Sequence, residues 1–110
     1  MLSKLMKNFL ILIRYKVPIE VVEKHTPEHR AYLKTLYDSQ DLLMSGPFVP
    51  CTSGVLWAQA LERARIDEIT AADPFNIHGV ANYEVIEFNP GMHSPLLDGV
   101  FAAQKESTPA

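Results

Sequence analysis

The amino-acid sequence predicts a small α+β domain in which four strands form one sheet and two helices cover one of its faces. Three observations lead to this prediction. Of the 110 residues, 47% are hydrophobic and 21% are charged, which are the proportions of one ordinary globular domain. Turn-forming residues divide the chain into short segments, and the hydrophobic periods of these segments are those of strands and helices. The resulting order is β-α-β-β-α-β, a split β-α-β unit.

Turn residues and hydrophobic periods divide the chain into strands and helices, and the elements of the first half show the local reasons. The predicted elements, in chain order, are a strand at 9–13, a short helical segment at 19–24, a helix at 27–39, strands at 42–48 and 54–60, a helix at 62–72 and a strand at 83–88. The apolar run 9–13 is typical of a strand buried on both faces. Thr26 suits the N-cap of the long helix, Pro27 suits its first position and Glu28 its first turn.

The second half of the chain completes the sheet. Gly46-Pro47 marks a bend or an edge in the second strand, and the connection 50–53 is short enough for a hairpin. Asp73-Pro74 stops the second helix, and the turn at 89–91 closes the last strand. We therefore expect one ferredoxin-like domain at 1–91. Residues 92–110 form a C-terminal tail that can pack on a partner and is expected to be disordered at its end.

One face of such a sheet is left without helices. The first strand is apolar on both sides, so the open face is expected to meet a second subunit. A homodimer with two-fold symmetry is the commonest arrangement of this kind. The alternative is that the apolar residues of the tail cover this face within one chain.

Charge and cysteine content exclude several classes of protein. The net charge of -3 gives no electrostatic footprint for nucleic acid or an anionic membrane. A single cysteine, Cys51, cannot form an internal disulfide, which favours the cytoplasm. The apolar run near the N-terminus is too short for a secretory signal or a membrane span. The pattern loses little without residues 1–5, so Met6 is an alternative start to Met1.

The histidines show no spacing typical of a metal site, and no phosphate-binding glycine loop or nucleophile motif is present. We therefore expect neither a metal nor a cofactor. His29 is the most informative residue, because it continues the inward apolar stripe of Tyr32, Leu33 and Leu36. The helix N-terminus favours its neutral form, which suits a general base. The alternative is a partly buried histidine that is satisfied by an ordinary acceptor.

Asp73 shows the same ambiguity. It continues the inward stripe of Ile66, Ile69 and Thr70 on the second helix. A carboxylate at a helix C-terminus is unfavourable unless donors or a cation compensate it, which suggests a functional partner. The alternative is that Asp73 is an N-cap, followed by Pro74 at the start of a short turn.

Several motifs together resemble the YCII-related family of dimeric α+β barrel proteins, over roughly residues 9–89. The motifs are Pro-Glu-His-Arg-Ala-Tyr-Leu at 27–33, Ser45-Gly46-Pro47, Ala72-Asp73-Pro74-Phe75 and Gly79-Val80. The resemblance implies that His29 and Asp73 form an active-site dyad. It also implies a relationship to muconolactone isomerase and to a branch of the family that removes chloride from a chlorinated hydroxyquinol.

These expectations define a hypothesis for the function. A His29-Asp73 dyad would perform general acid/base chemistry, of the isomerase or lyase (dehydrochlorinase) type, on a small cyclic or aromatic-derived substrate. Arg14 and Ser45 are candidates for binding a carboxylate or phenolate, and Phe75 for a wall of the site. Their alternative roles are a solvated strand end, turn chemistry and ordinary core. Two other functions stay open: a non-catalytic ligand-binding or interaction module and, with weaker support, cofactor-independent oxygenation.

Overall fold

A computed structural model describes residues 6–100 of the chain, and the predicted order of strands and helices is confirmed there. The elements are β1 (Lys7–Tyr15), α1 (Ile19–Glu23), α2 (Thr26–Asp38), β2 (Leu42–Pro47), β3 (Ser53–Ala60), α3 (Arg63–Ala72), α4 (Pro74–Ile77) and β4 (Ala81–Phe88), with a 3₁₀ turn at Pro95–Leu97. Residues 1–5, which include Met1, and residues 101–110 at the far end of the tail lie outside the described residues. Within 6–100, no helix combines the length and the hydropathy that crossing a bilayer requires.

The four strands form one antiparallel sheet in the order β2-β3-β1-β4. β1 lies in the middle of the sheet, where Ile11 pairs with Leu56 of β3 on one side and with Val85 of β4 on the other. The side chains of β1 alternate between two apolar surfaces, the core under the helices and the opposite side of the sheet. This explains why residues 9–13 show no polar alternation. The α+β, ferredoxin-like fold class is therefore confirmed.

The core lies between the sheet and the helices. Phe9, Ile11 and Ile13 of β1 are 0%, 0% and 2% exposed and point toward the helices. They share one buried cluster with Leu33 and Leu36 of α2 and with Ile66 and Ile69 of α3. These helical residues recur every three or four positions, so each helix turns one apolar stripe toward the sheet. Helices α2 and α3 therefore carry their inward residues against the same side of β1.

The opposite side of the sheet, which we call the open face, is also apolar. Its central side chains are Leu10, Leu12, Val55, Trp57 and Ile86. The register places Leu10 opposite both Trp57 and Ile86. Ile86 is 40% exposed, and no described helix covers it. A polar pair flanks this area, since Arg14 donates to Glu84 over 2.8 Å.

Candidate active site

His29 is positioned by the first turns of α2. Pro27 lies at the start of this helix, and His29 precedes the buried Leu33 and Leu36 on the same face. This phase directs the imidazole toward the sheet, as predicted from the sequence. The residue is 9% exposed. An imidazole this far from water needs a hydrogen-bond partner inside the protein.

Asp73 supplies that partner from the junction of two helices. It ends α3 and caps the N-terminus of α4, where its Oδ1 accepts a hydrogen bond from the backbone N–H of Phe75 over 3.0 Å. Its extended backbone and the following Pro74 separate the two helices. The residue is 1% exposed. Asp73 is therefore the N-cap of α4, as the alternative interpretation of the sequence expected, and the same carboxylate also points inward.

The two side chains meet directly. His29 Nδ1 lies 2.7 Å from Asp73 Oδ1. Because an ionised carboxylate only accepts, Nδ1 carries the proton in this contact, and in the neutral form of the ring Nε2 has the free lone pair. The Phe75 ring stacks on the imidazole at 3.9 Å between centroids and 8° between planes. Hydrogen bonding and stacking together hold the ring in one orientation, which leaves Nε2 as its basic atom.

His29 borders a cavity of about 580 Å³, and Asp73 lies buried behind it. Apolar side chains form much of its wall, including those of Ile13, Ile19, Val22, Leu33, Leu56 and Phe75. The polar side chains on the wall are those of Tyr15, Glu23, Thr26, His29, Arg30, Ser45 and Cys51. A cavity of this size and lining, with a few converging polar groups, is typical of a site for one small organic molecule.

Of the predicted substrate-binding residues, the structure brings Ser45 and Phe75 to the cavity and leaves Arg14 away from it. Ser45 lies on β2 and forms a hydrogen bond with the hydroxyl of Tyr37. Arg14 follows Ile13 on β1, so the alternation of side chains along a strand sends it to the open face. There its side chain is 55% exposed and paired with Glu84. The binding role predicted for Arg14 stays a prediction.

Arg30 and Tyr15 are among the cavity residues that were not predicted from the sequence. Arg30 follows His29 on α2 and contributes a cation to the cavity wall. Tyr15 also lines the cavity, and its ring meets that of Phe75 edge-to-face at 5.9 Å. Burial raises the pKa of the Tyr15 phenol, and the nearby Cys51 and Asp73 raise it further. The position of Arg30 directly after His29 in the sequence is a signal that could have found it. Whether Arg30 reaches the cavity, however, depends on how α2 packs on the sheet.

Tyr83 was also missed. Its hydroxyl and Asp73 Oδ2 are buried, and within residues 6–100 neither has a hydrogen bond of ordinary geometry. Burial raises the pKa of the Tyr83 phenol, and the neighbouring Asp73 carboxylate raises it further. The phenol is therefore neutral at physiological pH and is a donor placed near the second oxygen of Asp73. Strand alternation indicates that Tyr83 faces the helices, but not which helical residue it approaches.

Two comparisons with known proteins find similar chains. The profile of the YCII-related domain matches residues 6–89. Among solved structures, the chain is similar to 5-chloro-2-hydroxyhydroquinone dehydrochlorinase from Burkholderia phenoliruptrix, in complex with 2,5-dihydroxybenzoquinone. The TM-score is 0.63 at 19% identity, covering 74% of this chain and 93% of that chain. No curated protein matches.

Proposed function

Because the chain belongs to the YCII-related domain family, we propose that it is a small-molecule enzyme in which His29 and Asp73 perform general acid/base chemistry. The observation that carries the proposal is the 2.7 Å contact between His29 Nδ1 and Asp73 Oδ1 at the edge of a mostly apolar cavity. The reaction is an isomerisation, or an elimination of the lyase (dehydrochlorinase) type. Its substrate is small and either cyclic or derived from an aromatic ring.

The first step is a proton transfer to His29. Nε2 takes a proton from a hydroxyl of the substrate or from a carbon next to a carbonyl, and the electron pair stays on the substrate. Asp73 then stabilises the imidazolium. In an isomerisation the proton returns to another atom of the substrate. In an elimination the electron pair expels the leaving group as an anion, and the proton passes to solvent. A positioned base of this kind contributes roughly 10²–10⁴-fold to the rate.

The cavity wall favours a flat substrate, and its charged side chains are one cation, Arg30, and one carboxylate, Glu23. The apolar side chains around the cavity suit the face of one ring, and burying that ring contributes to binding. Arg30 supplies a positive charge and Ser45 a hydroxyl for a carboxylate or phenolate oxygen. Phe75 keeps the imidazole plane fixed from behind.

The proposal includes a homodimer formed through the open face. The support is the cluster Leu10, Leu12, Val55, Trp57 and Ile86, which no described helix covers. Apolar surface of this kind on a sheet is stabilised when a second copy excludes water from it. Two-fold symmetry would let the same face serve both partners.

The proposed reaction is tested with a panel of single-ring probes. The purified protein is incubated with 5-chloro-2-hydroxyhydroquinone, with muconolactone and with other chlorinated phenols, while chloride release and ultraviolet spectra are followed. His29→Gln should lower turnover at least 10²-fold, because the base is lost. The matched control is His93→Gln, since His93 also pairs with a carboxylate, Asp98, at 3.0 Å, but lies outside the cavity. This control should retain full turnover.

A different result would support the other class of function. If a probe binds with measurable affinity, His29→Gln weakens that binding and no probe is converted, the chain is a non-catalytic ligand-binding module. If a probe is converted equally well by the wild type and His29→Gln, the dyad does not perform the reaction. Oxygen consumption during turnover would instead indicate oxygenation.

A further inference from the structure

A second cluster of potential ligands lies outside the cavity. His25 directly precedes α2, Glu28 lies in the first turn of this helix, and His78 directly follows α4. One ligand atom from each residue lies within 4.8 Å of the others. The rings of His25 and His78 are stacked, with centroids 3.9 Å apart and 17° between their planes. None of the three residues lines the cavity.

We propose that His25, Glu28 and His78 bind a first-row divalent cation, and that this cation is Zn²⁺. Two imidazoles and one carboxylate form a donor set that zinc uses when a fourth position is left to water. Two ligand atoms at ~2.1 Å from a tetrahedral zinc lie ~3.4 Å apart. Glu28 Oε2 and His78 Nε2 are already separated by 3.4 Å.

The third ligand has to move. The ligand atoms lie within 4.8 Å of one another, so His25 has to approach the other two by up to about 1.4 Å to reach tetrahedral spacing. One of the two stacked imidazoles also has to rotate, so that both nitrogen lone pairs point at the same cation. Glu28 and His78 have side-chain exposures of 59% and 37%, so they can adjust without disturbing the core. The positive end of α2 disfavours a cation, and the Glu28 carboxylate offsets this effect. Two neutral imidazoles and one carboxylate leave the bound site with a single positive charge.

The bound cation would join the two elements that hold the dyad. His25 and Glu28 belong to the start of α2, which carries His29. His78 directly follows α4, whose N-cap is Asp73. The site therefore reinforces the packing of α2 on α4 from outside the cavity. This inference is independent of the proposed reaction, because it concerns metal binding and stability.

The test measures metal binding to the tag-free full-length chain after treatment with EDTA and buffer exchange. Zn²⁺ is titrated by calorimetry, and Co²⁺ serves as a probe through its visible absorption. The wild type should bind one cation and gain thermal stability. Glu28→Gln and His78→Asn should each weaken binding at least tenfold and remove the gain in melting temperature. Because the Glu28 side chain is exposed, Glu28→Gln is expected to keep the fold, which circular dichroism verifies.

Two control variants locate the site. His93→Asn removes a histidine that pairs with a carboxylate elsewhere on the surface, and His29→Gln removes the histidine of the cavity. Both should bind Zn²⁺ as the wild type does. The proposal is overturned if the wild type fails to bind, if Glu28→Gln and His78→Asn bind unchanged, or if either control variant loses binding.

Discussion

The imidazole of His29 is held by two different interactions. Asp73 accepts its Nδ1 proton at 2.7 Å, and the Phe75 ring lies parallel to it at 3.9 Å. Asp73 is itself held by the backbone N–H of Phe75 at 3.0 Å. Three residues thus support one another, and each restricts the freedom of a neighbour. A histidine held in this way loses little rotational freedom when a substrate binds.

The first prediction concerns the tautomer of His29. In the wild type, treated with EDTA, the ¹⁵N spectrum of the imidazole should show a proton on Nδ1 and none on Nε2, because Asp73 accepts from Nδ1. Asp73→Ala removes this acceptor and should give a mixture of tautomers. A wild-type spectrum with the proton on Nε2, or an unchanged spectrum in Asp73→Ala, would contradict the assignment.

The second prediction concerns the Tyr83 hydroxyl. Burying this hydroxyl beside Asp73 Oδ2 without a bond would be costly, so we expect the phenol to donate to the carboxylate in solution. Tyr83→Phe should then lower the free energy of unfolding by about 1–2 kcal/mol, as measured by urea denaturation. A rise in stability would show that the hydroxyl is truly unpaired. Tyr32→Phe gives the reference loss of stability for a paired hydroxyl, because the Tyr32 hydroxyl donates to the Ile69 carbonyl at 2.8 Å.

The junction between α3 and α4 is the element that completes the site. Asp73 and Pro74 end one helix and begin the next, so a single residue serves as a cap and as a partner of His29. Gly79 follows α4 with φ of 68°, a left-handed conformation that glycine adopts without a steric penalty. The chain then enters β4. This tight path places both ends of the four-residue helix α4 against α2.

The third prediction concerns the attachment of α3 to the turn before β2. Arg65 donates to both carboxylate oxygens of Asp41, at 3.2 Å and 2.8 Å. Burial alone would raise the pKa of Asp41, but the hydrogen bonds from Arg65 and Ser39 and the charge of Arg65 outweigh it, so the pKa is lowered. Since the Arg65 side chain is 42% exposed, solvent screening limits the effect, and Arg65→Gln should cost about 1 kcal/mol or less at pH 7.

The sign of the pH dependence follows from the lowered pKa of Asp41. A carboxyl group whose pKa is lower in the folded state stabilises the fold above its unfolded value of 3.8. This contribution is lost as the pH falls through the folded pKa. The difference between the wild type and Arg65→Gln should therefore shrink below about pH 4. Arg63→Gln breaks the more exposed pair with Asp67. It should therefore lower the free energy of unfolding by less than Arg65→Gln does at neutral pH.

Across the whole molecule, the two faces of the sheet differ in what they carry. The helical face holds the cavity and the contact between His29 and Asp73. The open face presents apolar side chains around Trp57, whose indole N–H donates to the Asn8 side chain at 2.9 Å. The Asn8 oxygen also accepts from Gln59 at 3.1 Å. This network holds the Trp57 side chain in place, which would lower the entropic cost of the proposed association.

The fourth prediction tests the proposed homodimer. Light scattering coupled to size exclusion should give about twice the chain mass of 12.4 kDa. Ile86→Lys should shift the mass toward that of one chain, because a charge would then be buried against an apolar surface. Val49→Lys is the matched control, since Val49 is 96% exposed in the hairpin and lies off the open face. A wild type with the mass of a single chain would exclude the dimer.

The sequence by itself determined the order of the elements, the inward direction of His29 and Asp73, and the apolar character of both faces of β1. These features depend on local periodicity, capping and turn residues, which act over a few positions. Only the tertiary structure decided that His29 and Asp73, 44 positions apart, are in contact and that His29 lines the cavity. It also decided that Arg14 lies on the other side of the sheet, and that Tyr83 approaches Asp73. The physical reason is that these contacts depend on how α2 and α4 pack over the sheet, which periodicity along one segment does not specify.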